Sequence, residues 1–236
     1  MQKQITKTSE GCPYGCSFCF NGKNKFKEYH IPEIKSNNVI LHDDAFLSRK
    51  DILEDIKALG NIKIDGKVVY YELTQGINLH DLTLDIAKAL KQARFKNIRF
   101  AWDDSYTKKS FYRVYDGIRL LEKAGYKRED MMCFILSNYY VSLRECMLKA
   151  KSMLYEHIIV CNCRYRKNLY NPKIYPEHWT MNEIEYFKQE CRINNQFVMR
   201  KGYDPEITKR LVRAVTLPSA THWGTELSYN STPNGR

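Results

Sequence analysis

Short apolar runs alternate with longer amphipathic segments along most of the chain. Six runs have the length and the polar bounds of buried strands, at 4–6, 38–42, 68–74, 97–102, 131–136 and 157–161. Between them, four segments carry apolar residues at helical spacing. Strands that alternate with helices predict βαβ units and a parallel sheet. This pattern fits either an open, partial (β/α) barrel or a doubly wound sheet.

Polar residues mark the predicted helix boundaries. Ser48 and Asp81 are predicted to cap the first two helices, and Gly60 is predicted to end the first. Thr180 and Glu183 have the spacing of a capping box, which predicts a helix that continues to residue 193.

Polar side chains also collect where each predicted strand ends. In parallel α/β folds, ligands bind at the carboxyl ends of the strands, so these side chains and the cysteines after the first strand predict a shared site. Any one of them alone is more typical of a helix cap or a loop hydrogen bond. They are Asp43 and Asp44, Gln75 and Gly76, Asp103 and Asp104, Ser137 and Asn138, and Asn162 and Arg164.

The first strand leads into a loop with three cysteines at C-x3-C-x2-C spacing, Cys12, Cys16 and Cys19. Thiolates suit iron–sulfur clusters, zinc or Cu(I) rather than magnesium or calcium. Structural zinc requires four ligands, so a zinc site would need a distant fourth cysteine. A [4Fe–4S] cluster held by three cysteines would leave one iron open.

The motif, with the aromatic Phe18 before its third cysteine, resembles the cluster motif of the radical S-adenosylmethionine (SAM) superfamily. The strand ends extend the resemblance over residues 3–166, to small proteins of the MiaB/Elp3-like part of that superfamily. The resemblance implies a partial (β/α)6 TIM-like barrel with parallel strands at 1–166. It also implies that the three cysteines bind a [4Fe–4S] cluster whose open iron binds SAM.

The resemblance further implies roles for the strand-end residues. The backbone around Phe18 would face the adenine of SAM, Asp43 and Asp44 would contact its methionyl amino group, and Gln75 would lie in the same cofactor site. Ribose or carboxylate would be bound by Asp103, Ser137 and Asn138. The chain departs from the commonest pattern because no Gly-Gly-Glu follows the second strand. No cobalamin-binding domain or TRAM-like module is recognisable either.

In such enzymes the reduced cluster cleaves SAM to a 5′-deoxyadenosyl radical, which abstracts hydrogen from a substrate. The resemblance thus implies an iron–sulfur enzyme and a reducing partner such as flavodoxin or ferredoxin. Neither the substrate nor a catalytic residue follows from the sequence.

Residues 167–227 are predicted to be a short α-rich extension that covers the barrel. Within it, 196–199 is predicted as an edge strand or packing segment, and 205–215 as a helix. The last residues, 228–236, are small and polar and are expected to be disordered.

Charge leaves a second hypothesis open. The formal net charge of +11 is compatible with a nucleic-acid partner, so a basic zinc- or cluster-binding module that binds nucleic acid without catalysis is the alternative. The basic residues are scattered, which is also typical of a solvated surface.

No apolar run is long enough to span a membrane, and no export signal is recognisable. The eight cysteines therefore indicate a reducing, cytoplasmic compartment.

Two further cysteines, Cys161 and Cys163, alternate on the last predicted strand, so they share one face. One interpretation is an auxiliary cluster; the other is small residues that pack at the end of a strand.

Overall fold

The computed structural model describes residues 3–19, 25–165 and 179–199. It has six main strands, which run parallel and lie side by side in the order of the chain. They form two three-stranded sheets, β1–β2–β3 and β4–β5–β6, joined by parallel bridges from Tyr71 to Phe95 and from Ile77 to Phe100. The strands are β1 (Gln4–Thr6), β2 (Asn38–Leu41), β3 (Tyr70–Leu73), β4 (Ile98–Ala101), β5 (Met131–Ser137) and β6 (Ile159–Arg164). The predicted partial barrel is confirmed, and the described strands do not close it.

Helices follow the strands, as the pattern predicts. They are α1 (Ile52–Asn61), α2 (Leu84–Gln92), α3 (Lys108–Lys123), α4 (Leu143–Tyr155) and α5 (Met181–Met199). Two antiparallel pairs of two-residue strands join Ser9–Glu10 to Lys27–Glu28 and Lys63–Ile64 to Lys67–Val68. No helix among the described residues is long and apolar enough to cross a lipid bilayer.

Two predicted caps are wrong. Ser48 ends a 3-10 turn, and α1 begins four residues later, at Ile52, with Asp51 before it. The cap of α2 is Thr83, whose hydroxyl accepts from the backbone N–H of Ile86 at 3.2 Å. Ser48 and Asp81 bond to each other instead, at 3.1 Å, because short polar side chains serve loop contacts as readily as helix ends.

The capping box predicted for α5 is confirmed. The backbone N–H and the hydroxyl of Thr180 both donate to the Glu183 carboxylate, at 2.7 and 2.8 Å, and the Glu183 N–H donates back at 3.3 Å. The predicted strand at 196–199 is wrong, because α5 continues as a helix to Met199. The predictions for 167–178, for 205–215 and for 228–236 lie outside the described residues.

The core lies between the strands and the helices. Strand residues such as Tyr71, Phe100 and Cys133 are fully buried there with Ile56 and Leu121 from the helices. Because strand side chains alternate, every second residue points away from the helices. This second surface is here called the inner face. It consists of Ile5, Ile40, Glu72, Arg99, Ala101, Met132, Phe134, Leu136, Ile159, Cys161 and Cys163.

Helix α5 packs on α4 and along β6, the outer strand of its sheet. Its Asn195 amide makes both hydrogen bonds that a neighbouring strand would make there. Asn195 Oδ1 accepts from the Val160 N–H at 2.8 Å, and Asn195 Nδ2 donates to the Val160 carbonyl at 2.7 Å. A side chain thereby satisfies the backbone groups of β6 at this position.

Candidate functional site

The cysteine loop is held at its start by the residues that follow β2. Asp43 is 1% exposed, and its Oδ1 accepts from the Thr8 N–H at 2.9 Å, the Thr8 hydroxyl at 2.9 Å and the Ser9 hydroxyl at 2.7 Å. The guanidinium of Arg49 donates to the Thr8 carbonyl. Three charge-assisted bonds to one oxygen fix the exit of the chain from β1.

Asp44 and Asp81 hold the next part of the loop. The Gly11 N–H donates to Asp44 Oδ2 at 3.0 Å. The Tyr14 hydroxyl donates to Asp81, whose other oxygen accepts from the Ser48 hydroxyl at 3.1 Å. Burial and the hydrogen bond to Asp81 raise the pKa of Tyr14 to about 12, so its phenol stays a donor at neutral pH.

Aromatic side chains hold the far end of the loop. The Tyr139 hydroxyl donates to Ser17 Oγ at 2.8 Å. Its ring meets Phe18 edge-on, with the centroids 5.6 Å apart, and lies 4.7 Å from the ring of Tyr165. Together with Leu136 these rings form a small apolar cluster separate from the main core. Phe18, the predicted adenine contact, is therefore positioned by residues that follow β5 and β6.

The three loop cysteines are accessible but not arranged as a finished metal site. Cys16 is exposed, and Cys12 and Cys19 are half-buried. Burial raises the pKa of Cys12 and of Cys16, and the charge of neighbouring thiols adds to the effect in each case. Among the described residues, no three His, Cys, Asp or Glu side chains are grouped tightly enough to hold a metal ion. Binding a metal would require the loop to draw its thiols together and release their protons.

At the end of β3, Gln75 Nε2 lies 2.5 Å from His42 Nε2, next to Asp43 in the chain. Gly76 has a φ of +85°, and a Cβ added there would lie 3.1 Å from the Arg99 carbonyl oxygen. A glycine is needed at this turn for both reasons. The tight turn brings Gln75 to the same edge as the residues that hold the cysteine loop.

Asp103 follows β4, and its negative charge contributes to the raised pKa of Cys16 in the cysteine loop. Burial raises the pKa of Asp103 to about 6, and Asp104 adds to this effect. The cations Lys149 and Arg113 oppose it. Lys149 is fully buried and donates to the carbonyl of Trp102 at 3.0 Å, and burial lowers its pKa.

Ser137 and Asn138 join elements to each other. The Ser137 hydroxyl donates to Asn162 Oδ1 at 2.5 Å. Asn138 is fully buried with a φ of +62°, its Nδ2 donates to the Tyr165 carbonyl at 3.4 Å, and its Oδ1 accepts from the Trp179 N–H at 3.1 Å. The Asn138 amide thus links β5, the end of β6 and the start of α5.

The structure therefore brings Phe18, Asp43, Asp44 and Asp103 to the cysteine loop and ties Gln75 to the same edge. It directs the Ser137 and Asn138 side chains to β6 and α5. Sequence reasoning missed the holding roles of Arg49, Asp81 and Tyr139. The pattern offered no way to separate Tyr139 from the other 16 tyrosines.

A cavity lies at the other end of the strands, near the starts of β2 and β3. Its volume is about 330 Å³, and it is shallow and open. Its distance from the cysteines and strand ends sets it apart from the site described here. It is lined by Asn37, Asn38, Lys67, Val68, Tyr70 and Lys96.

The arrangement of strands is similar to that of known structures. One is the radical SAM methyltransferase TsrM from Kitasatospora setae with cobalamin and a [4Fe–4S] cluster bound, with a TM-score of 0.56 and 13% identity over 72% of this chain and 38% of that one. The chain has the fold of the radical SAM enzymes. A second TsrM structure, with tryptophan substrate and the SAM analogue aza-SAM, gives a TM-score of 0.52 at 13% identity over 69% and 35% of the two chains.

HydG, a maturase of the [FeFe]-hydrogenase, shares the radical SAM fold with a TM-score of 0.55 and 13% identity, over 82% of this chain and 50% of that one. The chain thus spans between about a third and a half of the length of these structures. No family model matches the sequence, and no curated protein matches it. At this level of identity the likeness establishes the fold, and the function is a separate inference.

Proposed function

We propose that the chain is a radical SAM enzyme in which Cys12, Cys16 and Cys19 hold a [4Fe–4S] cluster. The observation that carries the proposal is the three-cysteine loop at the carboxyl ends of the strands of a radical SAM fold. Three cysteines are one fewer than a fully protein-bound cluster uses, so the loop leaves one position to SAM. When bound, the two cofactors supply reductive cleavage of SAM to methionine and a 5′-deoxyadenosyl radical, which takes hydrogen from the substrate.

The chemistry of the donor set fits this pair of cofactors. All three loop side chains are thiols, which suit iron–sulfur clusters. Asp43 Oδ2 is buried and accepts no hydrogen bond from the residues that the structure describes, while Oδ1 accepts three. A buried carboxylate oxygen without a donor is costly, and the amino group of SAM would supply one. Asp44 holds the loop backbone beside it at Gly11.

The other strand-end residues would position SAM from the sides. Tyr139 holds Phe18 edge-on, which leaves the Phe18 backbone to face the adenine. Asp103, with a pKa raised by burial to about 6, is mostly ionised at pH 7 and would accept from ribose hydroxyls. Gln75 would lie in the same cofactor site, and Ser137 and Asn138 would support it by fixing the ends of β5 and β6.

The proposal includes a one-electron donor such as flavodoxin or ferredoxin, because the cleavage consumes an electron from outside the site. The substrate is a separate molecule, and a nucleic acid is compatible with the net charge of +11. The radical SAM fold favours this proposal over a nucleic-acid-binding module without catalysis.

An anaerobic assay tests the proposal. The protein is reconstituted with iron and sulfide, reduced with dithionite and mixed with SAM, and 5′-deoxyadenosine is measured beside the EPR spectrum. We expect one cluster, an EPR signal that SAM perturbs, and deoxyadenosine. Cys16→Ala should lose all three, whereas Cys191→Ala, which removes a buried thiol on α5, should keep them.

A wild-type protein that holds one zinc ion, forms no cluster and yields no deoxyadenosine would overturn the proposal. Deoxyadenosine formation that survives in Cys16→Ala would overturn the assignment of the ligands.

A further inference from the structure

The five cysteines outside the loop fall into two groups. Cys133, Cys146 and Cys191 are buried in the core. Burial raises the pKa of Cys146 and of Cys191 to about 12, and it raises that of Cys133 as well. Buried thiols of this kind are chemically inert. The remaining two cysteines, on β6, are only half-buried.

The register of β6 places Cys161 and Cys163 side by side on the inner face. Cys161 lies opposite Phe134 of β5, and Cys163 lies opposite Leu136. The residues between and before them, Asn162 and Val160, belong to the other face. Two positions along a strand are about 6.6 Å apart, which lies within the range of Cα separations that a disulfide bridges. Both thiols therefore face the space in front of the strands, and a disulfide would join them once β6 bends to bring their Cβ atoms to about 4 Å.

The two thiols differ in charge state. A hydrogen bond from Cys163 lowers the pKa of Cys161 to about 6 against the opposing effect of burial, and the positive charge of Arg99 adds to the lowering. As the donor of that bond, Cys163 has a raised pKa. Arg99 donates to the Glu72 carboxylate at 3.3 Å and to the Leu73 carbonyl at 3.4 Å, so its position beside the inner face is fixed.

The other ionisable neighbours of the pair come from three elements. Asp103 after β4 and Cys133 on β5 act on Cys163, and Cys161 interacts with Cys191 on α5. The cation nearest Cys161 is Arg99. The pair thus consists of a nucleophilic thiolate and a protonated thiol next to it, on the open side of the sheet.

We propose that Cys161 and Cys163 form a thiol–disulfide exchange site on the inner face, whose ligand class is a disulfide such as oxidised glutathione. The Cys161 thiolate attacks one sulfur of the disulfide, which forms a mixed disulfide and releases one thiolate. Cys163 then loses its proton and attacks the Cys161 sulfur, which releases the second thiolate. In total, two protein thiols lose two electrons and two protons, and one disulfide becomes two thiols.

Geometry predicts that this exchange is readily reversed. The separation of about 6.6 Å lies near the upper end of what disulfides span, so the oxidised pair pulls β6 away from its regular extension. Strained disulfides are the more easily reduced ones. The test uses protein without iron or SAM, so its outcome does not depend on the proposed radical SAM chemistry.

Peptide mapping tests the proposal on the full-length chain. The protein is equilibrated at pH 7 in glutathione buffers of increasing oxidised fraction, quenched with acid, alkylated and digested with trypsin. Cleavage after Lys151 and Arg164 gives a peptide, 152–164, that contains Cys161 and Cys163 and no other cysteine. As the oxidised fraction rises, we expect the doubly alkylated peptide to give way to an unalkylated form that is two hydrogens lighter than the free dithiol, and to return when reduced glutathione is restored.

Single variants assign the two roles. Cys163→Ser should trap a glutathione adduct on Cys161, because the second thiol is missing. Cys161→Ser should react with glutathione at least tenfold more slowly, because Cys163 is the protonated partner. Cys191→Ser is the matched control, and its 152–164 peptide should behave as in the wild type.

The wild-type result alone decides whether the site exists, so the test remains valid even if a variant fails to fold. A 152–164 peptide that keeps both thiols in every buffer would overturn the proposal; the loop peptide 8–23, which contains Cys12, Cys16 and Cys19, shows that the buffers oxidise accessible thiols. Equal reaction rates of the Cys161→Ser and Cys163→Ser variants would overturn the assigned roles.

Discussion

Tyr139 and Ser17 are 122 residues apart in the chain, yet the Tyr139 hydroxyl donates to Ser17 Oγ at 2.8 Å. This bond joins the far end of the cysteine loop to the residues that follow β5. The loop is therefore held at both ends, by Asp43 where it starts and by Tyr139 beside Phe18.

Loss of the Tyr139 hydroxyl should loosen the loop without disturbing the ring packing. For Tyr139→Phe we expect the free energy of unfolding to fall by about 1 kcal/mol, as for one neutral hydrogen bond, in urea denaturation of the metal-free protein. Tyr140→Phe is the control, because Tyr140 is 67% exposed, and it should change nothing measurable. Equal losses in the two variants would contradict the role given to Tyr139.

Two substitutions of Asp43 should differ in their cost. Asp43→Ala leaves the Thr8 N–H and two hydroxyls without their acceptor, so we expect a loss on the order of 3 kcal/mol. Asp43→Asn keeps an oxygen at Oδ1 for those donors and should cost only about 1 kcal/mol. Both values come from chemical denaturation. If asparagine proved as costly as alanine, the charge of Asp43 rather than its three hydrogen bonds would hold the loop.

Asn138 combines a left-handed backbone with two side-chain hydrogen bonds. Asn138→Gly should lose only the bonds, whereas Asn138→Ala should lose the bonds and also strain the backbone at φ +62°. The left-handed conformation costs an alanine roughly 1 kcal/mol or more, so the glycine variant should be the more stable by about that amount. Thermal unfolding of the two variants side by side measures the difference. An alanine variant as stable as the glycine variant would show that Asn138 can leave this conformation.

Asp103 should make stability depend on pH in the acidic range. Its folded pKa of about 6 lies above the value of about 3.9 for an unfolded aspartate. The folded chain therefore binds more protons between these values, and its stability falls as pH rises from about 4 to about 6. The loss amounts to about 2 kcal/mol after allowance for partial exposure.

Asp103→Asn should remove this dependence. Its stability relative to the wild type should increase from pH 4 to pH 7, in denaturation series at both pH values. Asp116→Asn is the control, because Asp116 is exposed on α3. The prediction fails if the difference between wild type and Asp103→Asn is the same at both pH values.

The alternation of apolar runs predicts the six parallel strands. The spacing of Thr180 and Glu183 predicts the capping box. These features depend on local periodicity and on spacings of three or four residues, which a single sequence carries. Ser48 and Asp81 were mistaken for helix caps, because a cap and a loop contact use the same short polar side chains. Their actual partners include Tyr14, which lies 67 residues from Asp81 in the chain.

The candidate site was predictable to a similar degree. The cysteine spacing and the strand ends indicate which edge of the sheet carries chemistry. They do not indicate that one oxygen of Asp43 accepts three hydrogen bonds, or that Asn138 accepts one from Trp179. Such pairings join residues 34 to 41 positions apart, so they cannot be predicted from local spacing in a single sequence.

The bond between Asn195 and Val160 bears on how this protein behaves at high concentration. An outer strand with free N–H and C=O groups is a template onto which another chain can add a strand. On β6 the amide of Asn195 fills that position at Val160, within its own molecule. Addition of a strand from a second copy of the chain is therefore blocked at this position of β6.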